Sequence, residues 1–195
     1  IMIYNTKILS SVEKASKLLL NGEIIIYPTD TLYGFGVDAT NTQSIIKLNK
    51  LKQREQAYSI IVDSFSMLKN YAELNVDIEH KIKSILPGPI TVILNQLKSN
   101  LSDLVNPGLK TIGIRIPDNQ FILNVVKKIN KPIITTSVNI HSEKPLNSID
   151  LINKKFSKID IFKNNSLIQS KGSTIIDFST NPFKIIRQGD QKIIL

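Results

Sequence analysis

Apolar residues recur along this chain with two periods. Val12, Ala15, Leu18 and Leu19 fall at helical spacing within Ser11–Asn21, and Asn21-Gly22 supplies a stop. Thr42–Lys52 repeats that pattern, with Ile45, Ile46 and Leu48 turned inward. Ser64–Tyr71, Asp77–Leu86, Phe121–Ile129 and Ser148–Phe156 are further predicted helices. Asp118 is placed to cap the Phe121–Ile129 helix, and Pro87-Gly88-Pro89-Ile90-Thr91 reads as a rigid structural segment. Short β-branched runs alternate with these helices: Ile24–Tyr27, Ser59–Val62, Ile90–Leu94, Ile112–Ile116, Pro132–Thr136, Ile159–Phe162, Thr174–Phe178 and Lys184–Arg187. Helices and strands interleave early and strands dominate late. This order predicts an α/β or α+β sheet of mixed direction, within one domain spanning residues 1–195.

Composition narrows the chemistry. The chain has no cysteine, which excludes thiol catalysis and thiolate metal sites, and its two histidines, His80 and His141, make a poly-histidine metal centre unexpected. His80 reads as solvated, and His141 is not favoured for proton transfer. No apolar run approaches the roughly 18 residues of a membrane span, and the first residues lack the basic-then-apolar order of a signal peptide. The expectation is a cytoplasmic protein with no membrane partner. Lysine and arginine number 25 against 16 acidic residues, a net charge of +9, so nucleotides, RNA or other polyanions are plausible partners. Only Arg54, Arg115 and Arg187 are arginines, in a chain crowded with Ile, Asn and Lys. Under such a bias an exposed arginine drifts to lysine at little cost. Those that remain are expected where a planar fork is needed, as in pairing with phosphate or carboxylate.

Polar clusters follow several strands. Pro28-Thr29-Asp30-Thr31-Leu32-Tyr33-Gly34-Phe35-Gly36 is read as a loop with two hydroxyls, a carboxylate and glycines that let a ligand approach the backbone; a plain strand-to-strand turn is the alternative. Lys52-Gln53-Arg54 reads as a phosphate clamp or as simple capping of a helix C-terminus. Thr135-Thr136-Ser137-Val138-Asn139 offers uncharged hydrogen-bonding groups, and is also good turn chemistry. Gly172-Ser173-Thr174 enters a strand and Arg187-Gln188-Gly189 ends the next. Period-two alternation places Arg115 and Gly113 on one face of an otherwise apolar strand, where the cation needs a cleft or an acidic partner. No P-loop or dinucleotide fingerprint occurs.

In order, Tyr27–Gly34, Lys52-x-Arg54, Pro87–Thr91, Gly113–Pro117, Ser137-x-Asn139, Ser173–Asp177 and Arg187-x-Gly189 resemble the threonylcarbamoyl-AMP synthase (YrdC-like) family, over roughly Ser11–Gly189. The resemblance implies a twisted open mixed sheet with flanking helices and a basic concave cleft. It implies an enzyme that joins L-threonine, bicarbonate or CO2, and ATP into threonylcarbamoyl-AMP and pyrophosphate, Mg2+ accompanying the phosphates. A tRNA-modifying threonylcarbamoyl transferase complex would then use the product beside the anticodon. By motif, Thr31, Thr111, Arg115, Thr135 and Ser173 would line the threonine site, with Arg115 on the carboxylate. Lys52, Arg54, Ser137, Asn139 and Arg187 would hold ATP, with Lys52 and Arg54 neutralising charge in the reaction. The chain departs from the family pattern at Glu55, which adds a negative charge beside the phosphate site, at Ser59-Ile60, and at Asn139-Ile140-His141-Ser142. Ending soon after Arg187-x-Gly189, it resembles the single-domain type. Two alternatives remain: a non-catalytic factor of the same fold, binding double-stranded RNA or maturing ribosomes, and another carbamoyl-transfer enzyme. The first lacks the aromatic interleaving of single-strand binders, and the second usually carries extra domains and zinc-type cysteines.

Overall fold

A computed structural model describes residues 2–164 and 169–193. Its strands are β1 (Ile3–Asn5), β2 (Ile25–Pro28), β3 (Tyr33–Asp38), β4 (Ser59–Ile61), β5 (Ile90–Asn95), β6 (Thr111–Arg115), β7 (Ile133–Ser137), β8 (Asp160–Lys163), β9 (Thr174–Asp177) and β10 (Lys184–Arg187). They form one 10-stranded sheet in the order β1-β8-β2-β3-β7-β4-β6-β5-β9-β10. Direction is mixed: β8 runs parallel to β1 and β2, β4 to β6 and β5 to β9, whereas β2/β3, β3/β7, β4/β7, β5/β6 and β9/β10 are antiparallel. This is the mixed α/β architecture that the alternation of elements predicts.

The helices follow their apolar stripes. In α1 (Leu9–Leu20) Val12, Ala15 and Leu19 are buried, and in α5 (Gln120–Ile129) Phe121, Ile122, Val125, Val126 and Ile129. Those i, i+3 and i, i+4 faces pack against each other. Helix α2 (Thr42–Lys52) starts at Asn41, whose side chain accepts the Ser44 N–H, and ends on Gln53 in the left-handed conformation (φ 53°). That turn throws Arg54 away from the helix axis and toward β4. The remaining helices among the described residues are α3 (Phe65–Leu68), α4 (Val76–Lys83) and α6 (Ile149–Lys155). No described helix is long and apolar enough to cross a membrane.

Several local expectations need correction. Asn119, not Asp118, caps α5, accepting the Ile122 N–H; the Asp118 N–H instead donates to Asp30 Oδ2 at 2.9 Å. Helix α3 is shorter than Ser64–Tyr71: Ser64 is its N-cap, accepting the Met67 N–H, and the helix ends at Leu68. Strand β7 continues one residue past the expected Thr136, so Ser137 stands on the strand with Thr135 and Thr136. Gly34 and Gly36 likewise lie within β3 and not in a ligand-binding loop.

These two glycines have a packing reason. Tyr27 of β2 reaches across β3 to β7, where its phenol donates to Thr135 Oγ1 at 2.8 Å. A Cβ on Gly36 would sit 2.7 Å from Tyr27 Cε1, so the strand passes under the ring only without a side chain. Gly36→Ala is therefore expected to destabilise the fold by about 1–3 kcal/mol through overpacking, measured by chemical denaturation. Wild-type stability in that variant would mean that the Tyr27 ring has room to move.

Candidate active site

One face of the sheet carries a cavity of about 340 Å³. Its floor is hollow because the residues there are small: Gly34 on β3, Ser59 on β4, Thr91 on β5 and Thr135 on β7. Gly113 of β6 belongs to the same arrangement, since a Cβ there would lie 2.5 Å from Ser59 Oγ. Around this floor stand all three arginines of the chain, Arg54, Arg115 and Arg187. Seven of the ten site residues expected from the sequence line the cavity: Thr31, Arg54, Arg115, Thr135, Ser137, Ser173 and Arg187. Lys52, Thr111 and Asn139 do not.

Each arginine is anchored differently. Arg115 Nη2 donates to Asp30 Oδ1 at 2.6 Å, with Thr31 Oγ1 at 3.4 Å, and both ion-pair side chains are 8% exposed. The acidic partner left open by the sequence is thus Asp30, yet the guanidinium still faces the cavity. Arg54 donates from Nη2 to the Ala57 carbonyl at 3.1 Å and lies over the Tyr58 ring, 5.2 Å from its centroid. Arg187 donates from Nε and Nη2 to the Ser173 carbonyl at 3.1 and 2.7 Å, and from Nη2 to Ser173 Oγ at 3.1 Å. Ser173 Oγ is also 2.8 Å from Thr91 Oγ1.

Arg187 owes its aim to an irregularity. Ile185 pairs with Ile176 and Arg187 with Ile175, so Ile186 is an extra, bulged residue. Arg187 consequently shares the face of Ile175, which lines the cavity. The turn beyond it needs glycine: a Cβ on Gly189 would meet the Gly172 carbonyl oxygen at 2.2 Å, and Gly172 itself has φ +89°. Burial lowers the Arg187 pKa, and the Arg115 charge lowers it further, against a smaller opposing effect from Asp190. Like charges converge here, and no carboxylate lines the cavity among the described residues. Such a site is built for an anion.

The expected phosphate lysine lies elsewhere. Lys52 is 1% exposed, and its Nζ donates to the Ser137 carbonyl (2.7 Å), the Asn139 carbonyl (2.9 Å) and Asn139 Oδ1 (3.0 Å). With three oxygens around one ammonium, Lys52 braces the cavity wall from behind rather than presenting its charge to a ligand. Burial and, secondarily, the Arg54 charge bring its pKa down to about 8. Asn139 is held within the same brace: its Oδ1 also accepts from Ser137 Oγ at 2.7 Å, and its Nδ2 donates to the Glu143 carbonyl at 2.8 Å. Thr111 opens β6 and its carbonyl accepts from Asn106. At ~3.3 Å per residue it stands about 13 Å along the strand from Arg115, too far to share the cavity. Glu55 is exposed and outside the lining, so its charge does not intrude.

Sequence reasoning missed Ser59, Thr91, Tyr58 and Lys171 as lining residues. Thr91 carried a signal, as a lone polar residue in the strand Ile90-Thr91-Val92-Ile93-Leu94. Lys171, exposed at the mouth, carried none in a lysine-rich chain.

The chain is similar to known proteins over nearly its whole length. A Methanocaldococcus jannaschii protein, provisionally named as a threonylcarbamoyl-AMP synthase, is 37% identical over 186 residues, covering 91% of this chain and 84% of its own. The threonylcarbamoyl-AMP synthase of Hydrogenovibrio crunogenus is 27% identical, covering 88% of this chain and 95% of its own. The crystal structure of P. abyssi Sua5 complexed with L-threonine superposes with a TM-score of 0.87 at 25% identity, over 97% of this chain and 58% of the longer P. abyssi chain. E. coli YciO shares the fold, with a TM-score of 0.85 at 20% identity over 96% of this chain and 95% of its own. The Sua5/YciO/YrdC family model, described as telomere recombination, matches residues 17–189. With the match running through every wall of the arginine-lined cavity, the chain belongs to the Sua5/YciO/YrdC family.

Proposed function

We propose that the protein is a threonylcarbamoyl-AMP synthase, making threonylcarbamoyl-AMP and pyrophosphate from L-threonine, bicarbonate or CO2, and ATP. The enzyme class rests on relatives named as such synthases. The observation that carries the chemistry is the convergence of Arg54, Arg115 and Arg187 on one hydroxyl-lined cavity. Arg54 and Arg115 each also have a buried Nε–H with no protein acceptor among the described residues, donors that a bound anion satisfies.

The reaction needs little acid or base from side chains. Threonine's amine attacks CO2, losing a proton, or bicarbonate, losing water, and becomes a carbamate. A carbamate oxygen then attacks the α-phosphorus of ATP, and the bond to the β-phosphate oxygen breaks as pyrophosphate leaves. Two anions must be brought together against their repulsion. Arg115, held by Asp30, takes the threonine carboxylate, with the hydroxyls of Thr31, Thr135 and Ser173 around it. Arg54 and Arg187 take the phosphates, and Ser137 meets the nucleotide. Lys52 and Asn139 hold the Ser137 wall in place, and the Lys52 charge acts at a distance. Mg2+ would accompany ATP and supply charge neutralisation there, since among the described residues the lining offers hydroxyls and guanidiniums and no carboxylate cage. The product would pass to a threonylcarbamoyl transferase complex acting on tRNA.

Incubation with ATP, threonine and bicarbonate should yield the mixed anhydride by mass spectrometry, and leaving out threonine should abolish it. Arg54→Ala should lower pyrophosphate release more than tenfold, at about 1.4 kcal/mol per decade; undiminished release would remove Arg54 from the phosphate site. Arg115→Lys should raise the threonine KM more than the ATP KM, since charge survives but the fork is lost; an unchanged threonine KM would refute its role. Lys52 should titrate near 8 by NMR of labelled lysine, assigned with Lys52→Met. Because this lies below the value of 10.5 for a solvated lysine, the unfolded chain holds the extra proton between those pH values. Lys52 then adds to stability as pH rises across that window and opposes folding below it. A midpoint above 10 would show that the three oxygens outweigh burial.

A further inference from the structure

A hydroxyl has one proton and two lone pairs, so the hydrogen bonds around the cavity fix what each offers to a ligand. Thr29 Oγ1 gives its proton to the Leu32 carbonyl at 2.7 Å and accepts the Thr31 N–H at 3.0 Å. The 3.0 Å contact between the Thr29 and Thr31 hydroxyls therefore runs from Thr31 to Thr29. The Thr31 proton is thus taken, and its oxygen faces Arg115 Nη2 as an acceptor. Ser137 gives its proton to Asn139 Oδ1. Thr135 is the opposite case. Its Oγ1 accepts the Tyr27 phenol, and no oxygen of the described residues takes the proton of Thr135 itself.

Tyr27 is held firmly for this. It is fully buried, lies across β3 where only glycine fits, and is 3.6 Å from the Cβ that Gly34 lacks. Burial pushes its phenol well above the ordinary 10.0, so it remains a proton donor throughout the working pH range. Thr135 is 9% exposed and lines the cavity.

We propose that Tyr27 is a positioning residue for the amino-acid site: by filling a lone pair of Thr135 it makes that hydroxyl a donor to a substrate oxygen. Thr31 and Ser137, their protons already taken, present lone pairs to the substrate's N–H and O–H groups. The cavity is thereby polarised for a zwitterion bearing a hydroxyl, which a set of freely rotating hydroxyls would not be. This inference rests on the synthase reading and deepens it.

The test is a double-mutant cycle on the full chain. Tyr27→Phe keeps the ring over Gly36 and deletes only the phenolic O–H. It should raise the threonine Kd by calorimetry and the threonine KM by about three- to tenfold, the loss of one oriented neutral hydrogen bond, with the ATP KM within twofold. Thr135→Val should lose at least as much, Thr135→Ser should retain threonine binding, and Tyr27→Phe added to Thr135→Val should cost nothing further. Additive losses, or a Tyr27→Phe protein that binds threonine as the wild type does, would overturn the positioning role. If Tyr27→Phe does not fold, Thr135→Ser against Thr135→Val decides: equal threonine affinity in the two would refute a donor at this position. A wild-type chain that neither binds threonine nor forms the anhydride would instead bring down the synthase reading, and this inference with it.

Discussion

A guanidinium in the middle of a buried sheet is the constraint on which the site depends. Arg115 ends a strand whose other residues, Thr111 apart, are apolar, and Asp30 meets it at 2.6 Å from the loop between β2 and β3. The second oxygen of Asp30 accepts the Asp118 N–H, so one carboxylate ties that loop to the end of β6 and to the approach to α5. Removing either partner of a buried pair leaves the other charge uncompensated, at a cost of about 3–5 kcal/mol. The pair is end-on, through one nitrogen, so the cation is held without being fully neutralised. That partial compensation lets a structural ion pair also serve as half of an anion site.

Much of the sheet was legible in the sequence because β-branched runs bounded by proline and glycine leave few alternatives. Helix α2 has the predicted bounds, Thr42–Lys52. What misled was β3. Its small residues and the preceding Pro28-Thr29-Asp30 read as a loop, whereas Gly34 and Gly36 are in the strand because the Tyr27 ring crosses over them. Local sequence cannot reveal that the Tyr27 ring crosses the neighbouring strand to reach Thr135, two strands away in the sheet. The edge strand β1 was missed for a related reason. Three residues hold it, and they pair with β8, more than 150 positions further on.

The site was legible in proportion to how unusual its residues are in this chain. Three arginines among 25 basic residues stood out, and all three meet at one cavity. Lysines carried no such information, and the one singled out, Lys52, proved to be a brace behind the wall, with three oxygens about its ammonium. Hydroxyls lay between these extremes. Thr31, Thr135, Ser137 and Ser173 could be placed by motif, but which of them gives a proton and which receives one depends on partners that only the fold brings into contact.

The bulge at Ile186 has a consequence for how this chain can vary. The side chain is more than half exposed and is not among the cavity-lining residues, so its chemical character is open to drift. The pairing around it is not. If β10 paired regularly at its present length, Ile186 would stand opposite Ile175 and Arg187 opposite Thr174, on the other side of the sheet. The face that Arg187 presents is thus set by the step in pairing between Ile185 and Arg187 and not by the letter at position 186, a constraint invisible to any comparison that scores identities alone.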